Sequence, residues 1–345
     1  MAKPGKKRGM TYAAAGVDID LKSRCISALV DKLHDDRKGK WRTVDLPGHF
    51  TGLIDFGEYA LSLCTDGVGT KLLIAEEMGI WDTVGIDCVA MNVNDTICVG
   101  AEPIAFVDYI AVDKPNEKVL AAVGEGLQEG VSQANAAIVG GEVAILPDLV
   151  TGLDLSGTCL GVVMKRDIIT GQRCAPGDAV IGLPSTGIHS NGLTLARKVF
   201  EKNGHCFTDK VKGLKKTVGR ELLTPTKIYV RQVLDVVRRC EVHGMVNITG
   251  GGLRNFVRLK EDIGFCVDDP MKPLPIFKAI QELGGISDNE MYQTFNMGMG
   301  FAMIVPKRDS KKVVSMLGKG AKVVGEVDDS GAVTVPSLGL RYDRY

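Results

Sequence analysis

Between residues 59 and 65 apolar and polar side chains alternate with a period of two, as a half-buried strand requires. The run Asp66-Gly67-Val68-Gly69-Thr70-Lys71 then breaks the alternation, and residues 72–78 read as a helix. Polar residues therefore stand at a strand-to-helix turn. A second helix is predicted over 83–99, an apolar strand over 104–112 and an amphipathic helix over 117–134. A buried strand over 136–139 ends at Gly140-Gly141-Glu142, and a strand over 158–164 follows. The breakers Gly171 and Pro176, within 166–176, mark the best boundary between two units. Beyond it the pattern restarts with a strand over 179–183, a polar turn over 185–191 and a helix over 192–203. A helix over 222–240, opened by Thr224-Pro225, leads to an apolar strand entering Gly250-Gly251-Gly252, a helix from Leu253 and a last strand near 331–336.

At 345 residues the chain exceeds what a single core usually serves, which agrees with two domains. Lys plus Arg and Asp plus Glu both total 42, so no overall positive field draws the chain to polymeric nucleic acid or an anionic membrane. Nine scattered cysteines without a C-x-x-C pair argue against a disulfide framework or a zinc site, and a reducing, cytoplasmic setting is expected. The first eleven residues carry Lys3, Lys6, Lys7 and Arg8 with no apolar run behind them, so they read as a disordered basic N-terminus rather than a secretory signal.

The 42 glycines gather in short loops at element ends, where a backbone must come close to a ligand. The turn 66–71 has the character of a phosphate cradle: glycines let amides face an oxyanion, Thr70 can donate, and Lys71 adds charge at a helix start. It is neither a Walker A loop nor a Rossmann fingerprint. On the helix over 83–99, Asp87, Asn94 and Asp95 fall at i, i+7 and i+8 and share a face with Met91. Such a stripe suits a hard cation, or else simply faces solvent. Magnesium needs oxygen ligands, which Asp66 and Glu142 can supply from other directions. Gly250-Gly251-Gly252 is a second anion-site candidate, and His189, in a polar turn with Ser190 and Asn191, is placed to touch a ligand or handle a proton.

Taken in order, these strings resemble the aminoimidazole ribonucleotide (AIR) synthetase family from about residue 12 to about 306. They include Ala15-Gly16-Val17-Asp18-Ile19, 65–71, Val93-Asn94-Asp95, Val107-Asp108-Tyr109, 139–142, 189–192 and 248–252. The resemblance implies a two-domain α/β (α+β) fold, with residues 12–170 binding ATP and dimerising into a β-barrel, and 171–345 forming an α+β sandwich. It implies a homodimer acting on small nucleotide substrates, with ATP and Mg2+ as cofactors. The reaction would close the imidazole ring of formylglycinamidine ribonucleotide. Implied roles are catalysis by Asp66, Lys71, Asp95 and His189, and metal binding by Asp66, Asp95 and Glu142. ATP would be held by Gly16, Asp18, Gly67, Gly69, Thr70, Asn94, Gly140, Gly141 and Glu142. Asp108, Ser190, Asn191 and Gly250–Gly252 would face substrate.

The chain departs from the commonest family pattern at Val143-Ala144-Ile145, at Asn247, where a histidine is frequent, and at 47–52. Selenophosphate synthetase, thiamine-monophosphate kinase, a hydrogenase-maturation dehydratase and formylglycinamidine synthase share the implied architecture. The reactive N-terminal cysteine loop of the first and the terminal cysteine of the third have no counterpart here. A non-catalytic nucleotide-binding protein would have shed the acidic residues that this chain keeps.

Overall fold

The computed structural model describes residues 9–12, 15–16, 19–34, 37–46 and 48–343. Asp18 of the expected ATP loop and most of the basic N-terminus lie outside them.

The first half is built on a six-stranded sheet. Its strands are β1 (Thr43–Val44), β2 (Gly52–Phe56), β3 (Tyr59–Gly67), β4 (Glu102–Val112), β5 (Ala137–Ile145) and β6 (Leu153–Met164), in the order β1-β2-β3-β6-β4-β5. Among the described residues of this sheet only β4 and β5 pair parallel, joined by helix α4 (Glu117–Ala134). Helices α1 (Ile19–Val30), α2 (Lys71–Met78) and α3 (Asp82–Thr96) complete this half. Asn116 caps α4 by accepting from the Lys118 and Val119 amides, and Asn135 ends it in the left-handed region, so the sequence signals fix both ends. Helix α3 packs on β3, β6 and β4, and α4 packs on α3. Close approach of the two helices is made by glycine: a side chain at Gly126 would meet Asp82, and one at Gly85 would meet Leu127. The opposite face of the sheet is bare and apolar, with Tyr59, Leu63, Val107 and Tyr109 each 37% to 49% exposed.

The second half is a seven-stranded sheet. Its strands are β7 (Ala179–Pro184), β8 (Gly244–Asn247), β9 (Gly264–Cys266), β10 (Met299–Val305), β11 (Lys322–Asp328), β12 (Val333–Val335) and β13 (Leu340–Tyr342), in the order β13-β12-β9-β11-β7-β10-β8. β10 reads as an unbroken apolar run because it is buried along its whole length. Helices α5 (Leu193–Lys202), α6 (Val218–Leu222), α7 (Val230–Arg239), α8 (Pro275–Gly284), α9 (Asp288–Thr294) and α10 (Ser310–Leu317) surround it. One apolar core runs through both halves. Among the described residues no helix is long and apolar enough to cross a membrane.

Three expectations are corrected. The helix predicted over 222–240 is two helices, α6 and α7, separated by an extended segment over 224–229. That segment gives up helical hydrogen bonds because side chains of α2 and α3 take its backbone groups instead. The helix predicted from Leu253 is a 3-10 turn over Gly252–Arg258. Gly140-Gly141-Glu142 lies inside β5 rather than ending a strand.

Candidate active site

Strand register builds the floor of the site. Asp66 of β3 pairs with Gly157 of β6, which pairs with Asp108 of β4, which pairs with Gly141 of β5. Cross-strand partners point to one face, so this row presents two carboxylates toward α3 with no side chain between them. A Cβ at Gly157 would collide with the Phe106 ring, and one at Gly141 would force the Asp108 carboxylate aside. Burial raises the pKa of both aspartates.

Asp95 reaches the same region from α3. Its Oδ1 accepts from Asn247 Nδ2 at 2.8 Å. Burial and, more weakly, the Asp66 charge push its pKa up to about 7, against the pull of the Asn247 hydrogen bond and Arg258. A buried carboxylate whose ionisation a neighbouring carboxylate opposes is a place that a cation would relieve. Among the described residues no three His, Cys, Asp or Glu side chains converge on one point. Glu142 in particular pairs in register with Tyr109, on the exposed face, whereas Asp108 and Gly141 face α3. The expected metal set of Asp66, Asp95 and Glu142 is therefore not assembled within this chain; strand alternation puts Glu142 on the other side of the sheet. Gly140 shares that outer face, opposite Val107.

The expected stripe of Asp87, Asn94 and Asp95 exists, but Asp87 and Asn94 lie in a seam between the two halves rather than on a cation face or in solvent. Asp87 accepts from Thr226 N at 2.8 Å and from Thr226 Oγ1 at 2.5 Å, and its Oδ2 lies 2.7 Å from Lys71 Nζ, both side chains fully buried. Lys71 also donates to Thr224 O at 2.9 Å and His189 O at 3.3 Å. Burial drives its pKa down while the Asp87 charge holds the proton on. With its three donors occupied, Lys71 is not free to neutralise a phosphate, and that expected role is corrected. Asn94 donates to Lys227 O and accepts from Tyr229 N, so its amide is committed to the extended segment instead of to ATP.

His189 sits in the polar turn before α5. It is 4% exposed, has a φ of +62°, and its Nε2 accepts from Thr186 N at 3.3 Å. Burial, aided by Lys71 and Lys227, pushes its pKa down to about 3, so the ring is neutral. Its neighbours Asn191 and Ser190 contact α3 and the segment over 224–229. Asn191 Nδ2 lies 4.0 Å from Met91 Sδ, and a Cβ at Gly250 would stand 3.0 Å from Asn191 Oδ1. Ser190 Oγ is 3.3 Å from Thr226 Oγ1. Gly252, at a φ of +53°, is packed onto the Tyr292 carbonyl, so only glycine serves there; Gly251 precedes it. Thr70 Oγ1 meets Thr194 Oγ1 at 3.0 Å, which sets the starts of α2 and α5 side by side, neither helix carrying a side-chain cap. Gly67 donates to Asp66 Oδ1, Gly69 turns the chain at a φ of +68°, and Gly16 lies near Lys198, whose Nζ donates to Ala15 O.

Residues 48–163 match the family model for the AIR synthase related protein N-terminal domain, and 175–336 that for its C-terminal domain. The chain belongs to the AIR synthase related family. Among curated members, the phosphoribosylformylglycinamidine cyclo-ligase of Methanosarcina acetivorans is 51% identical over 94% of this chain and 97% of its own length. That of Methanococcus vannielii is 47% identical over 93% of each. Among solved structures, AaThiL complexed with AMPPCP and TMP superposes with a TM-score of 0.64 at 14% identity, covering 95% of this chain and 96% of that one. The hydrogenase maturation protein HypE gives 0.63 at 19% identity, over 91% and 93%. At such identities the likeness to these two is one of fold. The AIR synthase related chain thus has the family's mixed α/β architecture of two domains and two sheets.

Sequence reasoning missed Asn247, Arg258 and the extended segment over 224–229. Asn247 stood out only as a departure from the family pattern, and the segment was legible in Thr224-Pro225-Thr226, where the proline limits helix continuation.

Proposed function

We propose that this chain closes the imidazole ring of formylglycinamidine ribonucleotide with ATP, giving 5-aminoimidazole ribonucleotide, ADP and phosphate. The supporting observation is near-half identity, over almost the full length of both partners, to proteins named for that cyclo-ligase activity. An amide oxygen is a poor leaving group. Attack of the formyl oxygen on the γ-phosphorus releases ADP and leaves the oxygen phosphorylated. The neighbouring nitrogen then adds to the formyl carbon, the C–O bond breaks to release phosphate, and a nitrogen proton is lost. Positioning and charge neutralisation carry most of such a reaction.

Asp66 and Asp95 would hold magnesium, which supplies positive charge to the phosphate oxygens. The burial that raises both pKa values, and the Asp66 charge acting on Asp95, fit that group. The uncapped starts of α2 and α5, with Gly67, Gly69 and Thr70, would direct amides at the phosphates. Asn191, Ser190 and Gly250–Gly252 would orient the substrate, and Asp108 would face its amidine. The domains would span 12–170 and 171–345. The bare apolar face of the first sheet supports a homodimer closed into a barrel through that face.

A coupled assay for ADP and aminoimidazole ribonucleotide tests the reading. Wild type should form both, and Asp66→Ala and Asp95→Ala should lose turnover. ATP consumption only with a different acceptor would exclude the reaction. Full turnover in either variant would exclude the cation site.

A further inference from the structure

Residues 247–258 form a bridge lying over the first domain. At one end Asn247 Nδ2 holds Asp95 Oδ1 at 2.8 Å. At the other, Arg258 reaches back across the domain boundary: Nε donates to Gly48 O and a terminal nitrogen to His49 O, both at 2.9 Å, and its guanidinium lies 4.0 Å from the centre of the Phe50 ring. Phe50 itself is 7% exposed and belongs to the common core. Between these ends sits the glycine loop Gly250–Gly252. The bridge is internally tied, since Asn255, fully buried, donates to Gly252 O at 2.8 Å and lies 3.4 Å from Thr249 Oγ1. A side chain at Gly252 would meet the Tyr292 carbonyl, so the loop packs closely there. A displacement of Arg258 is thus carried along a stiff segment to the glycine loop.

We infer that Arg258 is a positioning residue for ring closure: with Asn247 it staples the glycine loop at a fixed height above Asp95, without itself touching the reacting atoms. A planar fork is needed for this. Two parallel N–H groups meet two successive carbonyls while the flat face stacks on Phe50, and a lysine ammonium can satisfy only part of that geometry. Arg258 and Gly48 also line a cavity of about 920 Å³ beside Ile26 and Ser27 of α1. The guanidinium is therefore reachable by small solutes from that side.

The inference rests on the function proposed above, and the test separates the two. Arg258→Lys, Arg258→Gln and Arg258→Ala are compared with wild type in the same coupled assay, with the unfolding midpoint of each variant recorded. Expected is a fall in kcat of about 100-fold, the scale of an ångström-sized misplacement, with the ATP KM changed less than about threefold. Guanidinium ion at tens of millimolar should restore about a tenth of the loss in Arg258→Ala and nothing in Arg258→Gln, whose side chain fills the space. Because both staples act on one loop, Asn247→Ala combined with Arg258→Lys should lose less than the product of the single losses. A kcat for Arg258→Lys within threefold of wild type would overturn the inference. So would a loss that merely tracks the fraction unfolded and ignores guanidinium. Absence of turnover in wild type would instead remove the proposed function.

Discussion

Replacing Lys71 by methionine discriminates most sharply between a phosphate ligand and a buried strut. The ammonium and the Asp87 carboxylate are both fully buried and 2.7 Å apart, so the substitution leaves a carboxylate oxygen without its cation. It also strips the donor from the Thr224 and His189 carbonyls. Removing one member of a buried pair is expected to cost about 3–5 kcal/mol, since the remaining charge has lost its compensation. The two hydrogen bonds from Thr226 still satisfy Asp87 Oδ1, which favours the lower end. The unfolding midpoint should fall on the order of 10 °C. Calorimetry or urea titration measures this, and initial-rate kinetics on the folded fraction gives the ATP KM, expected within about threefold of wild type. Asp87→Asn keeps an oxygen for Thr226 while removing the charge that faces Lys71, and should show the same loss of stability with the same intact KM. An unchanged midpoint for Lys71→Met together with a tenfold rise in ATP KM would refute the reasoning and return Lys71 to the phosphates.

The other predictions concern pH, the floor of the site and the bare sheet face. His189, with a pKa pushed down to about 3, binds a proton more readily unfolded than folded. Its contribution to stability is complete above pH 6.5 and drains as pH falls toward 3, by up to about 1.4 kcal/mol per unit. His189→Asn, suited to the positive φ, should flatten that slope in midpoints measured at pH 7, 5 and 4, while the pH profile of kcat keeps its shape; an altered profile would give the ring a catalytic part. Gly157→Ala should destabilise by about 1–3 kcal/mol and depress kcat, because the new methyl displaces the Phe106 ring beneath the Asp66–Asp108 row. Wild-type kinetics in that variant would dissociate the row from the chemistry. Leu63→Glu or Val107→Glu should halve the mass seen by light scattering if the exposed face joins two copies; an unchanged mass would place the interface elsewhere.

The family likeness and the strand-to-helix turn at 66–71 were legible in the sequence, because glycines and acids at fixed spacing are local signals read without a partner. Helix α4 was legible at both ends for the same reason, since its capping asparagines are intrinsic to the chain. The i, i+7, i+8 stripe on α3 was also correctly placed on one face, yet periodicity gives only a direction, not what lies there. Tertiary contact decided that Asp87 meets Lys71 and Thr226, that Asn94 meets the backbone of 227 and 229, and that Asp95 meets Asn247. It likewise decided that Glu142 faces away from Asp66, which depends on register across four strands. Long-range hydrogen bonds carry no periodic trace in either strand or helix, so the partners of a buried polar residue are fixed only when the two halves pack.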